Sequence, residues 1–128
     1  MAGNQRINIG RLGEQIATEH LLQVGYEIVE RNYRTRAGEI DLIAEDHSTL
    51  VFCEVKTLIA RSQASGPSSP LECIRPGKRL QVRRMARAWL SDRPTGGRGY
   101  AEIRFDAIGI TLTLARKTLR VEHLPNAF

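Results

Sequence analysis

Asp41, Glu54 and Lys56 have the types and spacing to hold a divalent cation beside an ammonium group, an arrangement suited to chemistry on a phosphate. They lie within Gly38 to Thr57, two β-branched, apolar-rich runs joined by a polar turn, which is the pattern of a hairpin. Side chains alternate across a strand. Glu39, Asp41, Ile43 and Glu45 therefore share one face of the first run, and Leu50, Phe52, Glu54 and Lys56 share one face of the second. With His47 and Ser48 as the loop, Asp46 pairs with Thr49, which sets Asp41 opposite Glu54 and Glu39 opposite Lys56. The turn lacks the glycine of the commonest two-residue loops. Ile40, Leu42, Ala44, Val51, Cys53 and Val55 make the other face apolar.

Paired Cβ atoms stand about 5 Å apart, and like charges so placed repel. Two carboxylates about 4 Å apart cost on the order of 4 kcal/mol at the effective dielectric of a protein surface, and one lysine offsets only part of that. A divalent cation resolves the conflict. Mg²⁺ suits it, being held by one or two carboxylates with waters and phosphate oxygens completing its shell. A Glu-x-Lys step at a strand end is also the pattern of a solvated edge pair, and the tripeptide by itself favours that reading. With Asp41 in register and Gly38 opening the run, the two readings stand level on spacing alone.

Other elements must position these residues. Ile9 to Val24 reads as a helix, with Gly13, Ile16, Ala17, Leu21 and Val24 as its apolar stripe and Gly25 as its C-terminal cap. Glu14 falls on the flank of that stripe, partly buried, where an ion pair with Arg11 or a sheet arginine would account for it. Tyr26 to Tyr33 reads as a first strand centred on Ile28 and Val29. Arg31, Arg34 and Arg36 stand close in sequence to the proposed site, either as a solvated turn or as contacts for phosphates approaching Asp41. Leu58 to Pro70 is rich in Ala, Ser, Gly, Gln and Pro, lacks periodicity and reads as a long mobile loop. Loops that close over substrate are drawn from such segments, and simple disorder fits equally.

Pro76 to Leu90 reads as a second helix with Val82, Met85, Ala86 and Trp89 on its apolar face, Trp89 as core rather than as a stacking platform. Arg75, Lys78, Arg79, Arg83, Arg84 and Arg87 crowd the rest, with no acidic residue between Ile74 and Ser91. Cations in a first turn oppose the helix dipole, so helix stability does not explain Lys78 and Arg79. Contact with a phosphate backbone explains them; a solvated basic face is the bland account. After a turn at Gly96 to Gly99, Ala101 to Thr111 reads as a fourth strand and Thr118 to Leu124 as a short fifth. Arg104 and Asp106 share a strand face and read as a structural pair.

At 128 residues the chain is long enough for one domain that folds without staples. Nineteen Lys and Arg against fourteen Asp and Glu leave a net charge of +5, which permits a polyanionic partner without requiring one. The polar start, Met1 to Asn8, and the absence of any run near the roughly 18 apolar residues of a membrane span predict a cytoplasmic protein with no membrane partner. Cys53 and Cys73 match neither a metal-ligand spacing nor a disulfide framework and read as reduced and buried. The element order predicts an α/β sandwich around a mixed sheet, antiparallel hairpins first and a crossover helix later.

Gly-Glu-Ile-Asp-Leu-Ile-Ala followed by Leu-Val-Phe-Cys-Glu-Val-Lys-Thr resembles the YraN-like family of predicted nucleases, in the restriction-endonuclease-like PD-(D/E)XK superfamily. The likeness runs through Gly10-Arg11-Leu12-Gly13-Glu14, Pro70-Leu71-Glu72, Pro76-Gly77-Lys78 and Arg104-Phe105-Asp106, and so covers nearly the whole chain. Together these motifs are specific; any one is weak. Family members usually carry an aromatic-glycine step before the Pro-Leu-Glu, and Gly66-Pro67 lacks the aromatic here. The resemblance implies a restriction-endonuclease-like three-layer sandwich of order αβββαβ. It implies a metal-dependent endonuclease acting on duplex or branched DNA, with Asp41, Glu54 and the Val55 carbonyl holding Mg²⁺ or Mn²⁺. Lys56 would orient or help deprotonate the attacking water, and Glu14, matching a first-helix glutamate of similar Holliday-junction resolvases, would complete the site. Arg34, Arg36, Lys78, Arg79, Arg83, Arg84 and Arg87 would contact the nucleic acid. By analogy with those resolvases a homodimer is open to the chain, and a further reading makes it a scaffold subunit whose cleavage depends on a DNA-processing partner protein. The alternative is a non-catalytic nucleic-acid-binding module on the same fold. The residues themselves do not separate duplex from junction or flap, nor DNA from RNA.

Overall fold

The computed structural model describes residues 2–60, 70–74, 76–93 and 99–127. Helix α1 (Ala2–Gln23) is followed by β1 (Glu27–Thr35), β2 (Gly38–Asp46) and β3 (Thr49–Ile59). A 3₁₀ turn (Pro70–Cys73), α2 (Pro76–Ser91), β4 (Glu102–Leu112) and β5 (Thr118–Leu124) complete the order. The five strands form one sheet in sequential order, β1-β2-β3-β4-β5. Only β3 and β4 are parallel, and the 3₁₀ turn and α2 make the crossover between them; the other neighbours are antiparallel.

Alternation along β2 and β3 sends side chains to two cores. Leu42, Ala44, Val51 and Cys53 pack with Ala17 and Leu21 of α1, and Ile43, Leu50 and Phe52 pack with Val82, Met85, Ala86 and Trp89 of α2. Helix, sheet and helix therefore make the three layers of a restriction-endonuclease-like α/β sandwich, as expected.

α1 starts at Ala2, ahead of the expected Ile9, and ends where its glycine allows. Gly25 has φ +99, its amide donates to the Leu22 carbonyl at 3.2 Å, and the Tyr26 amide donates to the Leu21 carbonyl at 2.9 Å. These two bonds are the paired signature of a left-handed C-terminal cap. The apolar stripe differs at one end: Val24 is 55% exposed, because it lies in the capping turn and not on the helix. Gly13 is buried against β3, where an added Cβ would run into the Thr57 hydroxyl. That close approach brings Glu14 to the sheet.

β1 extends to Thr35, and its register slips between Ile28 and Glu30. Val29, expected at the strand's centre, falls in this bulge and is 40% exposed. Leu58 and Ile59, expected in the loop, belong to β3, where they pair with Thr111 and Leu112. Residues 61–69 of that loop, Arg75, and 94–98, which hold most of the Gly96 to Gly99 turn, lie outside the described residues.

Trp89 is core. Its ring meets Phe52 edge-on at 5.8 Å, and its indole N–H donates to Glu30 Oε1 at 3.0 Å. Cys53 is free and buried; the side chain of Cys73 is outside the description. Among the described residues no helix is long and apolar enough to cross a membrane.

Candidate metal centre

The hairpin turns at His47 and Ser48, with Asp46 paired to Thr49 as the sequence predicts and His47 taking a φ of +54 where a glycine is commoner. The ladder then runs to Leu42 opposite Cys53 and stops. Asp41 and Glu54, expected as the next pair, and Glu39 and Lys56 beyond them, are not laddered: β2 and β3 part at this point. Where the register would have paired Val55 with Ile40, the Val55 amide instead donates to Asp41 Oδ2 at 2.8 Å. A strand residue projects its N–H and C=O toward the same neighbour, so the Val55 carbonyl also opens toward the split.

Alternation slips at the same place. Ile40, expected beside Leu42, packs in the α2 core with Ile43, while Asp41 and Glu39 carry their carboxylates toward α1. The slip falls where the β2–β3 ladder has ended and where β1, still paired with Leu42, Ile40 and Glu39, carries Asn32 at a φ of +54 between Arg31 and Tyr33. Carboxylate oxygens of Glu14, Glu39 and Asp41 consequently lie within 4.8 Å of one another. Asn32, in β1 with φ +54, stands beside them. With its amide turned nitrogen-inward, it donates to Glu14 Oε2 at 3.0 Å and Glu39 Oε1 at 3.2 Å.

Glu54 comes from the other side of the split. Its Oε1 lies 3.6 Å from Lys78 Nζ on α2, and its Oε2 is buried without a hydrogen-bond partner among the described residues. Burial pushes the Asp41 carboxyl up to about 8, and the charge of Glu54, the charge of Glu14 and a hydrogen bond shared with Glu39 add to it against the Val55 amide. Burial also raises Glu54, with the charge of Lys78 and hydrogen bonds from Asp41 and Lys78 opposing. Burial and then Glu39 raise Glu14. Four carboxyl groups thus meet with too few donors between them.

Lys56 lines two openings onto this centre. One is an 810 Å³ groove bounded by Glu54, Lys78, Gln81 and Arg84; the other is a 420 Å³ groove bounded by Glu14, Val55 and Thr57. Among the described residues Lys56 forms no ion pair. Of the basic residues expected to contact nucleic acid, Lys78 and Arg84 line the larger groove, whereas Arg79, Arg83 and Arg87 are exposed on α2 outside it. Arg83 lies over the Phe105 ring at 4.5 Å. Arg34 pairs with Glu39 at 2.8 Å and, with Arg11 and Arg31, lines a 1000 Å³ groove on the α1 side. Arg36 is exposed in the turn before β2.

Three contributors were missed by sequence reasoning. Glu39 stands two residues before Asp41, a spacing that signalled the same face. Gln81 donates to the Ala37 carbonyl and packs against Gly38, where a Cβ would meet its amide. Neither Gln81 nor Asn32 had a signal, since each acts through a tertiary contact.

These residues fit a divalent cation: hard oxygen donors, a buried carboxylate oxygen without a partner, and an aspartate driven to hold a proton. Residues 13–110, which include all four carboxylates, Lys56 and α2, match the Uncharacterised protein family UPF0102. A UPF0102 protein of Acidothermus cellulolyticus is 41% identical over 119 residues, covering 86% of this chain and 87% of its own. Another, of Chlorobium phaeobacteroides, is 43% identical over 125 residues and covers 94% of each chain. A third, of Frankia casuarinae, is 38% identical over 120 residues, 94% of this chain and 95% of its own.

Proposed function

The chain belongs to the UPF0102 family, the YraN-like family that its motifs resemble, and on that premise we propose that it is a metal-dependent endonuclease hydrolysing phosphodiester bonds in DNA. The observation that carries the reading is the meeting of Glu14, Glu39 and Asp41 within 4.8 Å, with Glu54 close enough to Asp41 to raise it. Asp41, Glu54 and the Val55 carbonyl would hold Mg²⁺ or Mn²⁺, with Glu14 and Glu39 completing or adjusting the set. When bound, the ion supplies Lewis acidity toward a phosphate oxygen.

The chain's own residues do the rest. Lys56, reaching both grooves, places an ammonium donor where water and phosphate meet and stabilises charge developing on the phosphate. Lys78 and Arg84 track the backbone on one side, and Arg11, Arg31 and Arg34 on the other. Asp41 must surrender its proton before it ligates, so ion binding releases a proton and tightens as pH rises.

The test is Mg²⁺-dependent cleavage of branched, flapped and linear DNA by the wild type and by Lys56→Ala. Cleavage by the wild type with a loss of about 10²-fold or more in the variant is expected. Equal activity removes Lys56 from the mechanism, and no cleavage of any substrate removes the nuclease. One observation favours a second reading, a non-catalytic nucleic-acid-binding module: Lys78 gives Glu54 a counter-charge from within the chain. That module would bind DNA with steep salt dependence, lose affinity in Arg84→Glu and be indifferent to Asp41→Asn.

A further inference from the structure

Lys78 sits in the first turn of α2, where no acidic residue offsets it and where a cation opposes the helix dipole. Its position serves something other than the helix. The Lys78 side chain is 29% exposed and that of Glu54 15%, with 3.6 Å between Nζ and Oε1. Gln81, three residues on and therefore on the same helix face, holds the Ala37 carbonyl at the root of β2. One face of α2 thus grips both lips of the split, Glu54 on β3 and the start of β2. Val82, Met85, Ala86 and Trp89 anchor the helix in its core, so any adjustment falls to the flexible four-carbon stem of Lys78.

We propose that Lys78 is an exchangeable counter-ion that couples cation binding to substrate binding. It holds Glu54 until a nucleic-acid strand enters the groove, then turns to a phosphate and leaves Glu54 to the divalent ion. The inference rests on the reading of the carboxylates as a cation site. It makes Lys78 a positioning residue that acts through Glu54. Linkage then requires the ion to tighten DNA binding by the same factor as DNA tightens the ion.

Mn²⁺ binding, read from the loss of the free-ion paramagnetic resonance signal, tests this in the wild type, Lys78→Met and Lys78→Gln, each with and without a short DNA duplex. Lys117→Met, at an exposed position outside the grooves, removes the same charge elsewhere. Without DNA, both Lys78 variants are expected to bind Mn²⁺ about three- to tenfold more tightly than the wild type, and Lys117→Met equally to it. The duplex should tighten the wild type by a larger factor than the Lys78 variants, bringing its affinity toward theirs. Unaltered affinity in both Lys78 variants, or equal tightening by the duplex in all proteins, overturns the exchange and leaves the metal site standing. No Mn²⁺ binding by any of the proteins overturns the metal site itself.

Discussion

Two aspartates of this sheet differ in who supplies the donors. Asp106 is fully buried and saturated: it accepts from Arg104 at 2.9 and 2.8 Å and from the Asn126 amide at 3.1 Å, with His123 Nε2 at 2.7 Å. Burial pushes its carboxyl up, but the hydrogen bonds from His123, Arg104 and Asn126 outweigh burial and hold it below the usual range. Asp41 has the Val55 amide and is otherwise faced by Glu14, Glu39 and Glu54, and it is driven up to about 8. A charge whose partners come from its own fold is structural. Like charges held together with too few partners mark a place where compensation is to come from outside.

The strongest way to break that contrast is Asp106→Ala. It leaves the Arg104 guanidinium, 15% exposed, without its carboxylate, and a loss of about 3–5 kcal/mol in urea denaturation is expected. A loss below about 1 kcal/mol would make the Asp106 network dispensable.

Asp41→Asn should act in the opposite sense, raising stability by about 0.5–2 kcal/mol near pH 8, as substitutions at strained functional sites commonly do. The sign follows from linkage. The folded value of about 8 lies above the ordinary 3.8, so between them the folded protein holds a proton that the unfolded chain has released. The contribution of Asp41 is therefore complete below 3.8 and is lost as pH rises toward 8. Melting across that window should show the wild type losing stability relative to Asp41→Asn; parallel curves would contradict the raised value. Asp106, held low, does the reverse, and its contribution disappears only as pH falls below the ordinary carboxylate range.

The smallest effect belongs to Arg34→Ala. Its pair with Glu39 has an arginine 71% exposed, and solvent screening confines the change to within about 0.5 kcal/mol by thermal melting. A larger loss would show that the α1-side arginines supply the carboxylate cluster with structural partners.

Much of this was legible in residue order because local rules decided it. Turn and register at His47 and Ser48, the Gly25 cap, the apolar face of α2 and the span of β5 all follow from periodicity and turn chemistry. What escaped were departures from regularity. Alternation assigns faces only while a strand stays regular, so Ile40 and Val29 were misplaced, the first beside the kink at Asn32 where β2 and β3 part and the second where β1 bulges. The same split brought Glu39 into the carboxylate cluster and put Glu54 within reach of Lys78, contacts set by how layers pack.

Melting the wild type and Asp41→Asn with increasing Mg²⁺ or Mn²⁺ above neutral pH decides whether Asp41 and its neighbours form a divalent-cation site. Saturating ion should stabilise the wild type, by about 2.7 kcal/mol at a hundredfold excess over Kd, and leave Asp41→Asn unmoved. No stabilisation of the wild type, or an equal rise in the variant, would contradict the account.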